Sequence, residues 1–139
     1  MINKLKPGTV YLHEAEGAPI LAQVGLGGDC GIFSPIGDIE HIGAIEKALL
    51  KPPLFRVIVV ERDVRKWKKG GEFPLSPFLN SYQTYYEKDV YPEKWYISSL
   101  ENPEDRREVS KEEAESHEPL SFWATAHVVR RLDGENLFR

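Results

Sequence analysis

Leu54-Phe55-Arg56-Val57-Ile58-Val59-Val60 is the stretch on which the fold turns. Every residue but Arg56 is apolar, and Val57 to Val60 are all β-branched. So short a run, with that composition, reads as a strand in the middle of a sheet. Pro52-Pro53 stands directly before it. Proline excludes α conformation from the preceding residue, so anything helical upstream must stop there. A helix is expected upstream, from about Ile39 to Leu50. Ile39, Ile42, Ile45 and Leu49 recur at helical spacing, supported by Ala44 and Ala48. Gly43 costs that helix roughly 1 kcal/mol relative to alanine.

Further toward the N-terminus, three short strands are expected: Thr9 to His13, Pro19 to Val24 and Asp29 to Phe33. Gly25, Gly27 and Gly28 separate the last two, supplying the positive φ of a hairpin connection. Downstream of the central strand lies a basic run, Arg62, Arg65, Lys66, Lys68 and Lys69, then a loop carrying Gly70, Gly71, Pro74 and Pro77. Tyr82 to Tyr86 and Lys94 to Leu100 are two more strand candidates. Near the C-terminus Ser110-Lys-Glu-Glu113 has the form of a capping box, in which hydroxyl and carboxylate each satisfy a free backbone N–H. Pro119 limits the helix it opens. Thr125 is expected to cap a last helix reaching about Leu132, with Gly134 after it and Ala124, Val128 and Leu132 on its inner stripe. The whole reads as one α+β domain over residues 1–139. It has a largely antiparallel β body with about three short helices, two of them C-terminal.

Composition narrows the function. The 139 residues are 41% hydrophobic and 29% charged, which suits a chain that buries a core without metal or disulfide staples. The formal net charge of −4 argues against general nucleic-acid affinity, which shows as a basic domain. The single cysteine, Cys30, cannot form an internal disulfide and points to a reducing compartment. No apolar run approaches the roughly 20 residues of a membrane span, and Pro7, Gly8 and His13-Glu14 interrupt any leader-like core. A cytoplasmic protein is expected.

No motif for catalysis emerges. Gly25-Leu-Gly27-Gly28-Asp29-Cys30-Gly31 lacks the final glycine or alanine of a dinucleotide fingerprint, and it precedes a strand rather than a helix. Cys30 beside Ile32 and Phe33 reads as a small core residue. His13, His41, His117 and His127 contain no helical i, i+4 pair, and there is no CxxC, so no metal or cofactor is expected. The acids are many, but no carboxylate pair can be chosen among them from sequence. Trp67, Trp95 and Trp123 are either core or interface anchors. Trp123, before the last helix, suits the core, whereas Trp67 among lysines and glycines could serve either way.

Taken in order, several pieces resemble the immunity protein 26 family of bacterial polymorphic toxin systems. They are Lys6-Pro7-Gly8-Thr9-Val10-Tyr11, Pro53-Leu54-Phe55-Arg56-Val57 and Trp67-x-x-x-Gly71-x-x-Pro74. Last come Glu118-Pro119 and Trp123-x-x-x-His127-Val128-x-x-Arg131-Leu132. They span nearly the whole chain. The second strand departs from the pattern, reading Ala18-Pro19-Ile20-Leu21-Ala22-Gln23-Val24 where an aromatic and a glycine are expected. The resemblance implies a non-enzymatic protein that binds and neutralises a cognate toxin domain, by blocking its active site or an essential surface. It does not hand over binding residues. Those are expected on the acidic stretch from Glu101 to Glu118, namely Glu104, Asp105, Glu108, Glu112 and Glu115, because many toxins attack nucleic acid through basic clefts. Trp67 is the further partner-binding candidate. The rival readings are a small-ligand-binding or regulatory β-rich domain, and an enzyme whose site is assembled from dispersed residues.

Overall fold

A computed structural model describes residues 3–15, 18–35 and 41–134. In chain order its elements are β1 (Thr9–Ala15), β2 (Ala18–Val24), β3 (Cys30–Phe33), α1 (Ile42–Leu49), β4 (Phe55–Val59), α2 (Glu61–Val64), β5 (Lys68–Glu72), β6 (Thr84–Val90), β7 (Glu93–Ser99), β8 (Arg107–Val109), α3 (Lys111–Glu115), β9 (Glu118–Pro119), β10 (Phe122–Trp123) and α4 (Thr125–Leu132). The fold is α+β. Its strands form a six-stranded sheet, ordered β10-β4-β3-β2-β1-β5, and a four-stranded sheet, ordered β8-β7-β6-β9. Pairing is antiparallel except where β10 joins β4 and β9 joins β6. No helix among the described residues is long and apolar enough to cross a membrane.

The decisive run behaves as its composition demands. All five residues of β4 are buried between β3 and β10. Alternation then explains why both faces of the large sheet are apolar. Tyr11, Ile20, Ala22, Ile32, Val57 and Val59 face one way, against Val64, Trp67, Trp123 and Val128 of the α2 and α4 side. Val10, Leu12, Leu21 and Phe33 face the other way, against Ile45 and Leu49 of α1 and Leu79. On this second side Ile58 meets Tyr85, Leu100 and Leu120, which brings the small sheet against the large one. The segment from Glu118 to Trp123 stitches the two together, since β9 lies in the small sheet and β10 in the large one.

Three expectations need correction. The basic run and the loop expected after β4 contain α2 and β5, which brings the helices among the described residues to four, two of them C-terminal. Lys68-Lys69-Gly70-Gly71-Glu72 has no apolar alternation, which is why periodicity missed it. It pairs as an edge strand on β1, and edge strands tolerate lysine and glycine. Gly71, at φ +121°, sits where the register with β1 shifts between Val10 and Tyr11, a bulge that suits glycine. Thr125 does not cap the last helix, because it occupies the first helical position after Ala124. The cap comes from a distant element: Asp63 of α2 accepts from the Thr125 backbone N–H at 2.7 Å and from its hydroxyl at 3.1 Å. Finally, the glycine turn holds positive φ at Gly27 and Gly28 but not at Gly25. The expected first turn of α1, from Ile39, lies outside the described residues, and the helix begins at Ile42.

Ser110 caps α3 as expected, its hydroxyl accepting from the Glu113 backbone N–H at 3.1 Å. The Glu113 carboxylate turns instead to Arg107, at 3.2 Å. Gly134 follows α4 at φ +91°, the left-handed position that ends many helices.

Candidate functional site

The acidic candidates sit where a partner could reach them. Glu104, Asp105, Glu108, Glu112 and Glu115 are all exposed, along the approach to β8, on β8 itself and on α3. The field they make is thinner than the sequence suggests. Glu108 pairs with Lys94 at 3.5 Å. Glu118, at the end of the stretch, is held by a two-pronged bond to Arg131, at 2.6 and 2.9 Å. Arg106, by contrast, pairs with Glu87 and Asp89 across the small sheet and so is not spent on these acids. Among the described residues, Glu104, Asp105, Glu112 and Glu115 form no ion pair. Those four are the charges such a surface can offer.

Trp67 belongs elsewhere. It is only 4% exposed, its indole N–H donates to Thr125 Oγ1 at 3.0 Å, and His13 stacks on its ring. It joins the core cluster of Tyr11, Val64, Trp123 and Val128, whereas its neighbours Lys66 and Lys68 are exposed. A buried tryptophan with its N–H satisfied is a core residue and not an accessible anchor. Trp123, 1% exposed, is core as expected, with Phe55 stacked on it.

The one charged residue of the central strand builds a second site. Arg56 shares its face of β4 with Ile58 and so points toward the small sheet. It is 5% exposed, and Asp29 beside it is fully buried. Its Nε donates to Asp29 Oδ2 at 2.5 Å, and its Nη2 donates to Asp29 Oδ1 and to the carbonyls of Leu26 and Ser81. Tyr85 of β6 completes the set, its hydroxyl donating to Asp29 Oδ2 at 2.9 Å. A buried ion pair is tolerated only when its remaining hydrogen-bond capacity is met, and these partners meet most of it. Burial pushes the Asp29 carboxyl above the ordinary carboxylate range, opposed by its bonds from Arg56 and Tyr85. Burial likewise raises the Tyr85 phenol, with the Asp29 charge adding to it. Neither group lies at a surface where it could exchange protons with a substrate. Cys30 is fully buried too, and burial followed by the Asp29 charge raises its thiol. It is therefore held as the protonated thiol, the unreactive form.

Arg56 also forms part of the wall of an open cleft of about 480 Å³ between the sheets. Phe55 flanks it on β4, and Tyr82, Gln83 and Thr84 line the opposite side at the start of β6. Ser116, His117 and Glu118 close the end between α3 and β9. A smaller recess of about 270 Å³ lies on the small sheet, lined by Asp105, Arg107, Thr84 and Ser98 among others. Among the described residues no group of three His, Cys, Asp or Glu is placed to hold a metal ion.

The sequence held one signal for the cleft that went unread: an arginine inside an otherwise apolar, central strand. Its partners could not be chosen from sequence, because Asp29 and Tyr85 lie 27 and 56 residues apart from their bonding counterparts. The residues that carry the family resemblance are mostly structural. Trp67, Trp123 and Val128 are core, Gly8 and Gly71 adopt positive φ, and Glu118 pairs with Arg131. Comparison of the chain with family models, with curated proteins and with solved structures finds no match.

Proposed function

We propose that the protein is an immunity protein, which binds a cognate bacterial toxin domain and blocks its active site or an essential surface. The observation that carries this reading is the exposure, without ion-pair partners among the described residues, of Glu104, Asp105, Glu112 and Glu115 on one short stretch of chain. An acidic surface of this kind speeds encounter with a basic cleft and rejects partners of like charge. The resemblance adds support, since its motif residues hold the scaffold and none of them lies on the 104–115 surface.

The test is to reverse Glu112 and Glu115 together to Lys and measure association with a toxin domain encoded beside the protein. Both side chains are exposed and neither supports the core, so folding should be preserved. Binding through this surface predicts slower association and a weaker dependence on salt. A double variant that matches the parent in rate, affinity and salt slope would remove the acidic surface from the interface. Failure of the parent protein to protect cells expressing the toxin would overturn the function itself.

A further inference from the structure

Among the described residues the hydrogen bonds of Arg56 use Nε and Nη2 only. Among the described residues nothing pairs with Nη1, although the side chain is only 5% exposed. Nη1 is not fully sealed from solvent, and Arg56 lines the cleft. A buried guanidinium held rigid on three sides, with donors left over for a cleft, is a prepared binding group.

The rest of the cleft says what kind of ligand suits those donors. Asp29 neutralises Arg56, and Arg131 neutralises Glu118, so the four formal charges around the cleft cancel. An anion would bring an uncompensated charge there. A neutral ligand brings none. Glu118 accepts two bonds from Arg131, which leaves lone pairs on both oxygens for a ligand N–H. Gln83 can both donate and accept, and the hydroxyl of Thr84 can do the same. Tyr82, 38% exposed, adds an aromatic side chain to the lining. The volume lies within the usual range for small-molecule sites.

We infer that this inter-sheet cleft binds a small, uncharged, planar ligand with an amide-type edge, of the nucleobase class, its carbonyl on Arg56 Nη1 and its N–H on the Glu118 or Gln83 side. This site stands apart from the acidic surface, so it holds or fails independently of the immunity reading.

Three probes of nearly the same ring test it, followed by NMR on the labelled full-length chain. They are uracil, 1,3-dimethyluracil and orotate. Uracil should shift the Arg56 side-chain and His117 ring signals in a saturable way. Dimethyluracil has the ring but no N–H, and orotate adds a carboxylate; each should bind about tenfold more weakly or worse, the step that ~1.4 kcal/mol represents. Ser116→Trp, which places bulk in the cleft from an exposed position, should abolish the uracil shifts. The inference is overturned if uracil causes no saturable shift at Arg56. Dimethyluracil binding as well as uracil would also overturn it, since the ligand N–H would then contribute nothing and no amide-type edge would be read. So would orotate binding more tightly, which would make the cleft an anion site. Uracil binding unchanged in a folded Ser116→Trp protein would place the ligand elsewhere.

Discussion

Arg56 and Asp29 show what one residue can decide. An ion pair in a protein interior gains little over a well-packed apolar pair, yet removing one partner alone strands a buried charge. Asp29→Ala should therefore destabilise the protein by about 3–5 kcal/mol, much of the 5–15 kcal/mol typical of a domain. Denaturant titration would measure this, and a loss under about 1 kcal/mol would mean that water admitted through the cleft replaces Asp29 as the partner of Arg56. Trp123 acts through volume instead. It is 1% exposed, stacked on Phe55, with the Arg131 guanidinium 5.3 Å from its ring. Trp123→Ala should cost about 3–5 kcal/mol. An unchanged melting temperature with lost toxin binding would move this residue from core to interface.

At the scale of elements, α4 is joined to α2 by a cap. Four N–H groups at a helix start lack internal partners. Here Asp63 supplies an acceptor from α2. The same Thr125 hydroxyl that donates to Asp63 accepts from Trp67, so one short relay fixes α2, α4 and the start of β5. The Thr125 backbone N–H is the main cause that holds the Asp63 carboxyl below its ordinary value of 3.8. A carboxyl with a lowered folded pKa contributes stability above its unfolded pKa and loses it as the pH falls through the folded one. The native protein should thus lose part of its stability below about pH 4, as Asp63 protonates. Asp63→Ala should cost about 1 kcal/mol near neutral pH, as loss of a cap does, with the difference from the parent shrinking in acid. Stability curves of the two proteins against pH check this, and a difference that stayed constant down to pH 2 or so would deny Asp63 the role.

Across the whole molecule, the question is whether two sheets make one cooperative unit. Two links argue that they do. The Asp29–Arg56–Tyr85 network crosses between them, and the chain from Glu118 to Trp123 contributes a strand to each. Trp95 lies in the small sheet, whereas Trp67 and Trp123 pack on the large one. A Trp67→Phe, Trp123→Phe protein keeps Trp95 as its sole indole, and its fluorescence should follow the same transition as circular dichroism. Coincident midpoints are the mark of two-state unfolding. An earlier Trp95 transition would show the small sheet opening first.

Much of the fold was legible in sequence because it depends on local chemistry. The β-branched run of β4, the alternation of β1 and β2, the prolines after α1 and the Ser110 cap each act within a few residues. Their physics is carried by neighbours in the chain. The edge strand β5 was not legible, since its pairing with β1 is made across more than fifty residues and leaves no apolar period behind. Nor was the burial of Trp67, which packs among core residues contributed by β1, β2 and α4 and bonds to Thr125. The acidic surface could be foreseen as a stretch, but which charges stay unpaired is decided by Lys94, Arg107 and Arg131 arriving from other elements. The inter-sheet cleft lay furthest from the sequence. An arginine in an apolar strand needs a partner, and this much follows from the cost of burying charge. Only the packing of one sheet on the other decides that Asp29 and Tyr85 fill that need on one side and that Nη1 is left open on the other.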